Sequence, residues 1–176
     1  MNNKLVGGTL FAAVALVAGF EGTKYLAYQD PVGIWTICTG ATKGVKQGDT
    51  ATPKECQDRL IVELLEHAKP LQRIPHKLPD NVIVAWADFS YNLGTGALQN
   101  STGYKLLRQG RWRESCKNIL AYKYIRVGGK LVDCFDDANA RTCGGIKKRR
   151  TTEYQLCAGK ISVEQATLLF SSTHRG

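Results

Sequence analysis

Six cysteines in a chain of 176 residues restrict its fold more than any other feature. Cys38, Cys56, Cys116, Cys134, Cys143 and Cys157 are an even set, none at CxxC spacing and none with a histidine close by in sequence. A zinc site is disfavoured by that spacing, and a disulfide framework is the simpler reading. Such a framework implies an oxidising compartment and ties distant segments together. Six buried free thiols in a cytosolic protein are the competing reading. Spacing does not choose among the possible pairings, except that Cys134 and Cys143 bracket the polar stretch Phe135–Thr142 and are placed to staple it.

The N-terminus also points to export. Met1 and Lys4 are positive, and no further charge occurs until Glu21. Between them runs the apolar segment Leu5–Phe20, LVGGTLFAAVALVAGF. As a helix it would span roughly 24 Å, short of the ~30 Å hydrocarbon core of a bilayer. Three readings follow: a signal peptide cleaved near Ala13-Val14-Ala15, an uncleaved and marginal membrane segment, or a buried core helix. The formal net charge of +9 suits nucleic acid, anionic lipid or an acidic polymer such as a cell wall as partner, with plain solubility as the competing reading. Nucleic acid is disfavoured, because no basic helix with interleaved aromatics occurs beyond Lys147–Arg150 and the expected disulfides argue against it.

Periodicity predicts a mostly helical α+β chain of one ordinary domain. Residues 23–29 and 33–39, rich in aromatic and β-branched side chains, flank Asp30-Pro31-Val32-Gly33 and read as a small hairpin. Lys43–Gly48 reads as turn or strand edge. Thr52-Pro53-Lys54-Glu55 is a capping box that opens a helix running to about Lys69, where Pro70 should end it. Leu71–Pro79 is expected to link two lobes. Asp80–Tyr91 reads as a strongly buried helix broken by Gly94 and Gly96, followed by short helices over Ser101–Gln109 and Arg111–Ala121. Val127–Gly145 is expected to be an irregular insertion, and Lys147–Ala158 a helix. Ser162 to Gln165 forms a second capping box before a last short helix and a polar tail.

Glu21, Asp30 and Thr36 stand in the pattern E-x8-D-x5-T. Two carboxyls and a hydroxyl at a helix end and a hairpin tip are placed to share one cleft. Glycoside hydrolysis needs that inventory. One carboxyl donates a proton to the leaving oxygen, and the other guides a water or attacks the sugar.

Several runs then resemble one family in order along the chain. Gly19-Phe20-Glu21-Gly22, Tyr28-Gln29-Asp30 and Gly33-Ile34-Trp35-Thr36-Ile37-Cys38-Thr39-Gly40 resemble the catalytic segment of the phage-type lysozymes, glycoside hydrolase family 24. Phe89 to Gly96, Ser101-Thr102 with Gln109-Gly110, and Gly145-Ile146 with Arg149-Arg150 and Glu153 are similar to that family's later motifs. The resemblance implies a two-lobed lysozyme fold and a muramidase that hydrolyses the β-1,4 bond between N-acetylmuramic acid and N-acetylglucosamine. It implies Glu21 as general acid, with Asp30 and Thr36 holding the attacking water. It also suggests Arg149 as a partner of Glu21, against a solvated helix face, and Asn92 as a substrate contact, against a helix cap. Pairings Cys38–Cys56 and Cys116–Cys157 rest on the same resemblance. Val127–Gly145 looks longer than usual for the family.

The Leu5–Phe20 segment resembles the signal-arrest-release segment of some phage endolysins. That likeness divides the chain into an uncleaved export segment, 1–20, and a catalytic domain, 21–176. It places the protein first on the periplasmic side of the host inner membrane and then in the periplasm. No cysteine lies in the segment, so control by topology is expected. The partners expected are peptidoglycan and, before release, the inner membrane, with the enzyme a monomer and no cofactor, metal or nucleic acid. A non-catalytic basic wall-binding module and a lytic transglycosylase are the alternatives.

Overall fold

The computed structural model describes residues 3–30 and 32–171. Met1, the Pro31 of the expected turn and the polar tail from residue 172 lie outside the described residues. The fold is mostly helical α+β, as the periodicity predicts, with two small antiparallel sheets. At its centre lies α3 (Asp80–Leu93), in which every residue from Val82 to Ser90 is buried. A helix buried all round needs neighbours on every side. Those are α1 (Gly7–Glu21), α2 (Pro53–Gln72) and α7 (Ala140–Cys157).

Helix α1 is the apolar N-terminal segment. Its Ala13, Val14, Leu16 and Val17 are buried in the common core, while Val6 and Phe11 are exposed. No helix among the described residues is long and apolar enough to cross a membrane. The preceding Asn3 is itself buried. Its amide donates to the carbonyl of His76 at 2.8 Å and its Oδ1 accepts from the N–H of Leu78 at 2.9 Å.

Two expectations about this region are corrected. Pro70 does not end α2, which runs on to Gln72. A proline near the end of a helix forfeits one intrahelical bond. Here burial of Leu71, and a bond from the Tyr104 hydroxyl to the Pro70 carbonyl at 3.0 Å, hold the last turn in place. Leu71–Pro79 is therefore no free linker, since Leu71, Ile74 and Leu78 all lie in the core.

The first sheet pairs β1 (Lys24–Gln29) with β2 (Trp35–Cys38), placing Tyr28 opposite Thr36 and Gln29 opposite Trp35. Residues 43–44 and 47–48 are turns, within the stretch expected to be turn or strand edge. A disulfide joins Cys38 to Cys56 in the first turns of α2, which opens with the full capping box of Thr52 and Glu55. Ala27, Ile37 and Ala41 pack around that bridge as a separate small core.

Helices α4 (Thr95–Asn100), α5 (Thr102–Arg108) and α6 (Trp112–Asn118) follow α3. A Cβ on Gly103 would lie 2.2 Å from Cη2 of the buried Trp86, so α5 approaches α3 only because residue 103 has no side chain. The expected irregular insertion is also corrected. It contains a regular hairpin of β3 (Tyr124–Val127) and β4 (Lys130–Asp133). Gly128 and Gly129 both have positive φ, +55° and +81°, as the tight turns that match strand twist require. Cys134 is bonded to Cys143, where α7 is bent, and α7 begins at Ala140 rather than Lys147. Cys116 in α6 is bonded to Cys157 at the end of α7. Helix α8 (Val163–Ser171), opened by reciprocal bonds between Ser162 and Gln165, buries Ala166 against the core.

Candidate active site

Glu21 is the last residue of α1, and Gly22 (φ +68°) turns the chain away directly after it. The apolar helix therefore delivers one carboxyl to the surface where α3 and α7 meet. Nη1 of Arg149 donates to Glu21 Oε1. The same guanidinium donates from Nε to Asp88 Oδ2 at 3.0 Å and from Nη2 to Asp88 Oδ1 at 2.9 Å. It also lies 4.7 Å from the Phe20 ring. Asp88 is fully buried and the Arg149 side chain is 7% exposed, so the solvated-face reading of Arg149 is excluded. Burial works against the charge on Arg149. Asp88 first, then Glu21 and Glu153, outweigh it and push the guanidinium pKa up.

Arg150 is buried beside it and donates from Nη2 to Asn92 Oδ1 at 2.7 Å. The same nitrogen lies 2.9 Å from Glu153 Oε1, but without hydrogen-bond alignment. Burial pushes the Glu153 carboxyl well above the usual carboxylate range; Arg150 opposes that rise and the Asp88 carboxylate adds to it. Asn92 sits in the last turn of α3, and the α3 cap is made by the Gly94 N–H on the Ser90 carbonyl instead.

Two cavities meet at this cluster. One of about 450 Å³ is lined by Glu21, Asn92, Thr39, Glu63, His67 and Tyr91. The other, about 440 Å³, is lined by Phe20, Asn92, Arg149, Lys148 and, from the second hairpin and the bend of α7, Ile125 and Ile146. Across the first cavity the Tyr91 hydroxyl lies 2.8 Å from the Thr39 carbonyl and 3.1 Å from Glu63 Oε2, one proton between two acceptors. Burial and the Glu63 carboxylate push the phenol pKa up, so it stays a neutral donor tying the small lobe to the helices.

Asp30 and Thr36 line neither cavity. They are organised around Ile34 in the turn of the β1–β2 hairpin. Asp30 Oδ1 accepts from the N–H groups of Val32 at 3.0 Å and Ile34 at 2.8 Å, and the Thr36 hydroxyl donates to the Ile34 carbonyl at 3.0 Å. The structure thus brings Glu21, Asn92 and Arg149 together and holds Asp30 and Thr36 as a pair on the hairpin that follows Glu21. Sequence reasoning missed Asp88, Glu63, His67 and Tyr91. For Asp88 a signal existed: it is the only charged residue between Val82 and Leu93, and a charge in an apolar helix requires a buried partner.

The phage lysozyme family model matches residues 18–153, which hold all of these groups. The chain belongs to the phage lysozyme family. A phage lysozyme is a glycoside hydrolase whose substrate is peptidoglycan. The chain is 34% identical over 158 residues to a SAR-endolysin of Pseudomonas phage phiKMV, covering 89% of this chain and 92% of that protein. It is 32% identical to a probable prophage lysozyme of Escherichia coli K12, covering 84% of this chain and all of that one. Among solved structures, the endolysin of Escherichia coli O157:H7 phage FAHEc1 superposes with a TM-score of 0.73 at 24% identity, over 85% of this chain and 92% of that one. The muramidase domain of SpmX from Asticaccaulis excentricus gives 0.72 at 24% identity, over 83% and 94%. Each of these proteins is matched over nine-tenths or more of its own length.

Proposed function

We propose that this phage lysozyme is an endolysin in which Glu21 is the general acid. The observation that carries this is Glu21 at the end of an apolar helix, facing a cavity and held by Arg149. Glu21 gives its proton to the glycosidic oxygen as the C1–O bond breaks. A water attacks C1 from the opposite face and yields its proton to Asp30, so the configuration at C1 inverts. The second carboxyl oxygen of Asp30 and the Thr36 hydroxyl beside Ile34 are the groups that hold this water. Asn92, shared by both cavities, contacts the sugar chain. Products decide the matter. Digests of purified peptidoglycan should carry intact reducing muramic acid ends, released as the inverted anomer by NMR. A digest dominated by anhydro-muramic ends would remove the water and make the enzyme a lytic transglycosylase. Wall binding without new reducing ends would remove the enzyme altogether.

Residues 1–20 serve as an uncleaved export segment that first holds the protein at the inner membrane, facing the periplasm. Several relatives are SAR-endolysins, which supports this, as does the composition of α1, which is short and rich in glycine and alanine and so marginal in a bilayer. The two locations exclude each other. While Leu16 and Val17 lie in lipid they cannot lie under α3, and Glu21 cannot meet Arg149. Fractionation of expressing cells should find the protein in membranes before depolarisation and soluble in the periplasm after it. A protein soluble in both states would sink the tether.

A further inference from the structure

We propose that Asp88 is a positioning residue for the reaction: it fixes the Arg149 guanidinium and balances its charge, leaving Nη1 to face Glu21 and the Glu21 carboxyl free to carry the proton it donates. The inference rests on Glu21 being the acid.

Geometry supplies the first half. Two parallel bonds between Arg149 and Asp88, at 3.0 and 2.9 Å, lock a planar fork against a planar carboxylate. Once Nε and Nη2 are committed, the plane of the guanidinium is set and Nη1 points to the end of α1. A carboxylate on α3 therefore determines where a group on α7 meets the last residue of α1.

Charge supplies the second half. Around Arg149 stand Glu21 on α1, Asp88 on α3, and Arg150 and Glu153 on α7. Lys148 lines the cavity on the Arg149 side, while Glu63, His67 and Lys43 line the other. A buried guanidinium requires a carboxylate beside it. A general acid needs its carboxyl for the proton it gives. Asp88, fully buried and engaged through both oxygens, supplies the charge partner of Arg149, so Glu21 is not required as its sole partner.

The test is Asp88→Asn, which keeps the shape and one acceptor oxygen but loses the charge. On soluble peptidoglycan oligomers kcat should fall roughly 10- to 100-fold with KM nearly unchanged, as for a displaced catalytic group. In an Arg149→Met background, Asp88→Asn should cause no further loss of kcat. A folded Asp88→Asn enzyme with the parent's kcat would overturn the proposal, and so would additive losses in the double variant. If Asp88→Asn does not fold, the unmodified enzyme decides. Its Arg149 Nε–H should exchange slowly with solvent by NMR, and exchange at the rate of a free arginine would overturn the proposal. An active Glu21→Gln enzyme would instead sink the acid assignment, so the two failures are distinguishable.

Discussion

Glu21→Gln should leave the protein folded and reduce hydrolysis of purified peptidoglycan by about 10²- to 10⁴-fold, the usual contribution of a general acid. Glutamine has the size of glutamate and keeps an oxygen that accepts from Arg149 Nη1. The end of α1 thus retains its anchor, and the Ala13, Leu16 and Val17 packing beneath is untouched. What is lost is the proton for the leaving oxygen. Circular dichroism and the melting midpoint should match the parent while reducing-end release falls. If the variant cleaves at the parent's rate, Glu21 is not the acid. Glu63, the other carboxylate lining the same cavity, would then be the group to replace next.

Replacing Cys116 and Cys157 together by alanine should cost the largest share of stability available to a change away from the cleft. The bridge closes a sequence separation of 41 residues, for which loss of chain entropy predicts about 4 kcal/mol. Both sulfurs are fully buried, and the bridge ties α6 to the last turn of α7. Arg149, Arg150 and Glu153 ride on the same helix, so loosening its end also loosens the wall of the site. For Cys134–Cys143, with a separation of 9, the same reasoning gives about 2.5 kcal/mol. Urea unfolding of the two double variants should reproduce that order. A Cys116→Ala/Cys157→Ala protein with an unchanged midpoint would contradict it, and peptide mapping without reduction would show directly whether these partners are bonded.

Much of the frame was legible because it is encoded locally. Capping residues announce α2 and α8, the apolar run of α3 announces the core, and Asp30 with its glycine turn announces the first hairpin. The misreadings have equally local causes. Pro70 is a helix breaker by backbone chemistry, yet burial of Leu71 outweighs one lost bond. Gly128 and Gly129 suggest irregularity by residue type, yet they make a two-residue turn between runs of strand length.

The site divides along the same line. Glu21, Asp30, Thr36, Asn92, Arg149 and the six cysteines could all be singled out from residue type, spacing and likeness to a family. Asp88 could not be joined to Arg149 from the chain alone, because 61 residues separate them and only the packing of α7 on α3 brings them together. The same holds for the apolar N-terminal segment with which the chemistry begins. Its composition leaves lipid and protein core about equally acceptable, since both reward the same apolar surface. The choice is made by α3, whose apolar faces leave a slot that α1 fills, with Glu21 at its end set against a guanidinium already balanced by a buried carboxylate.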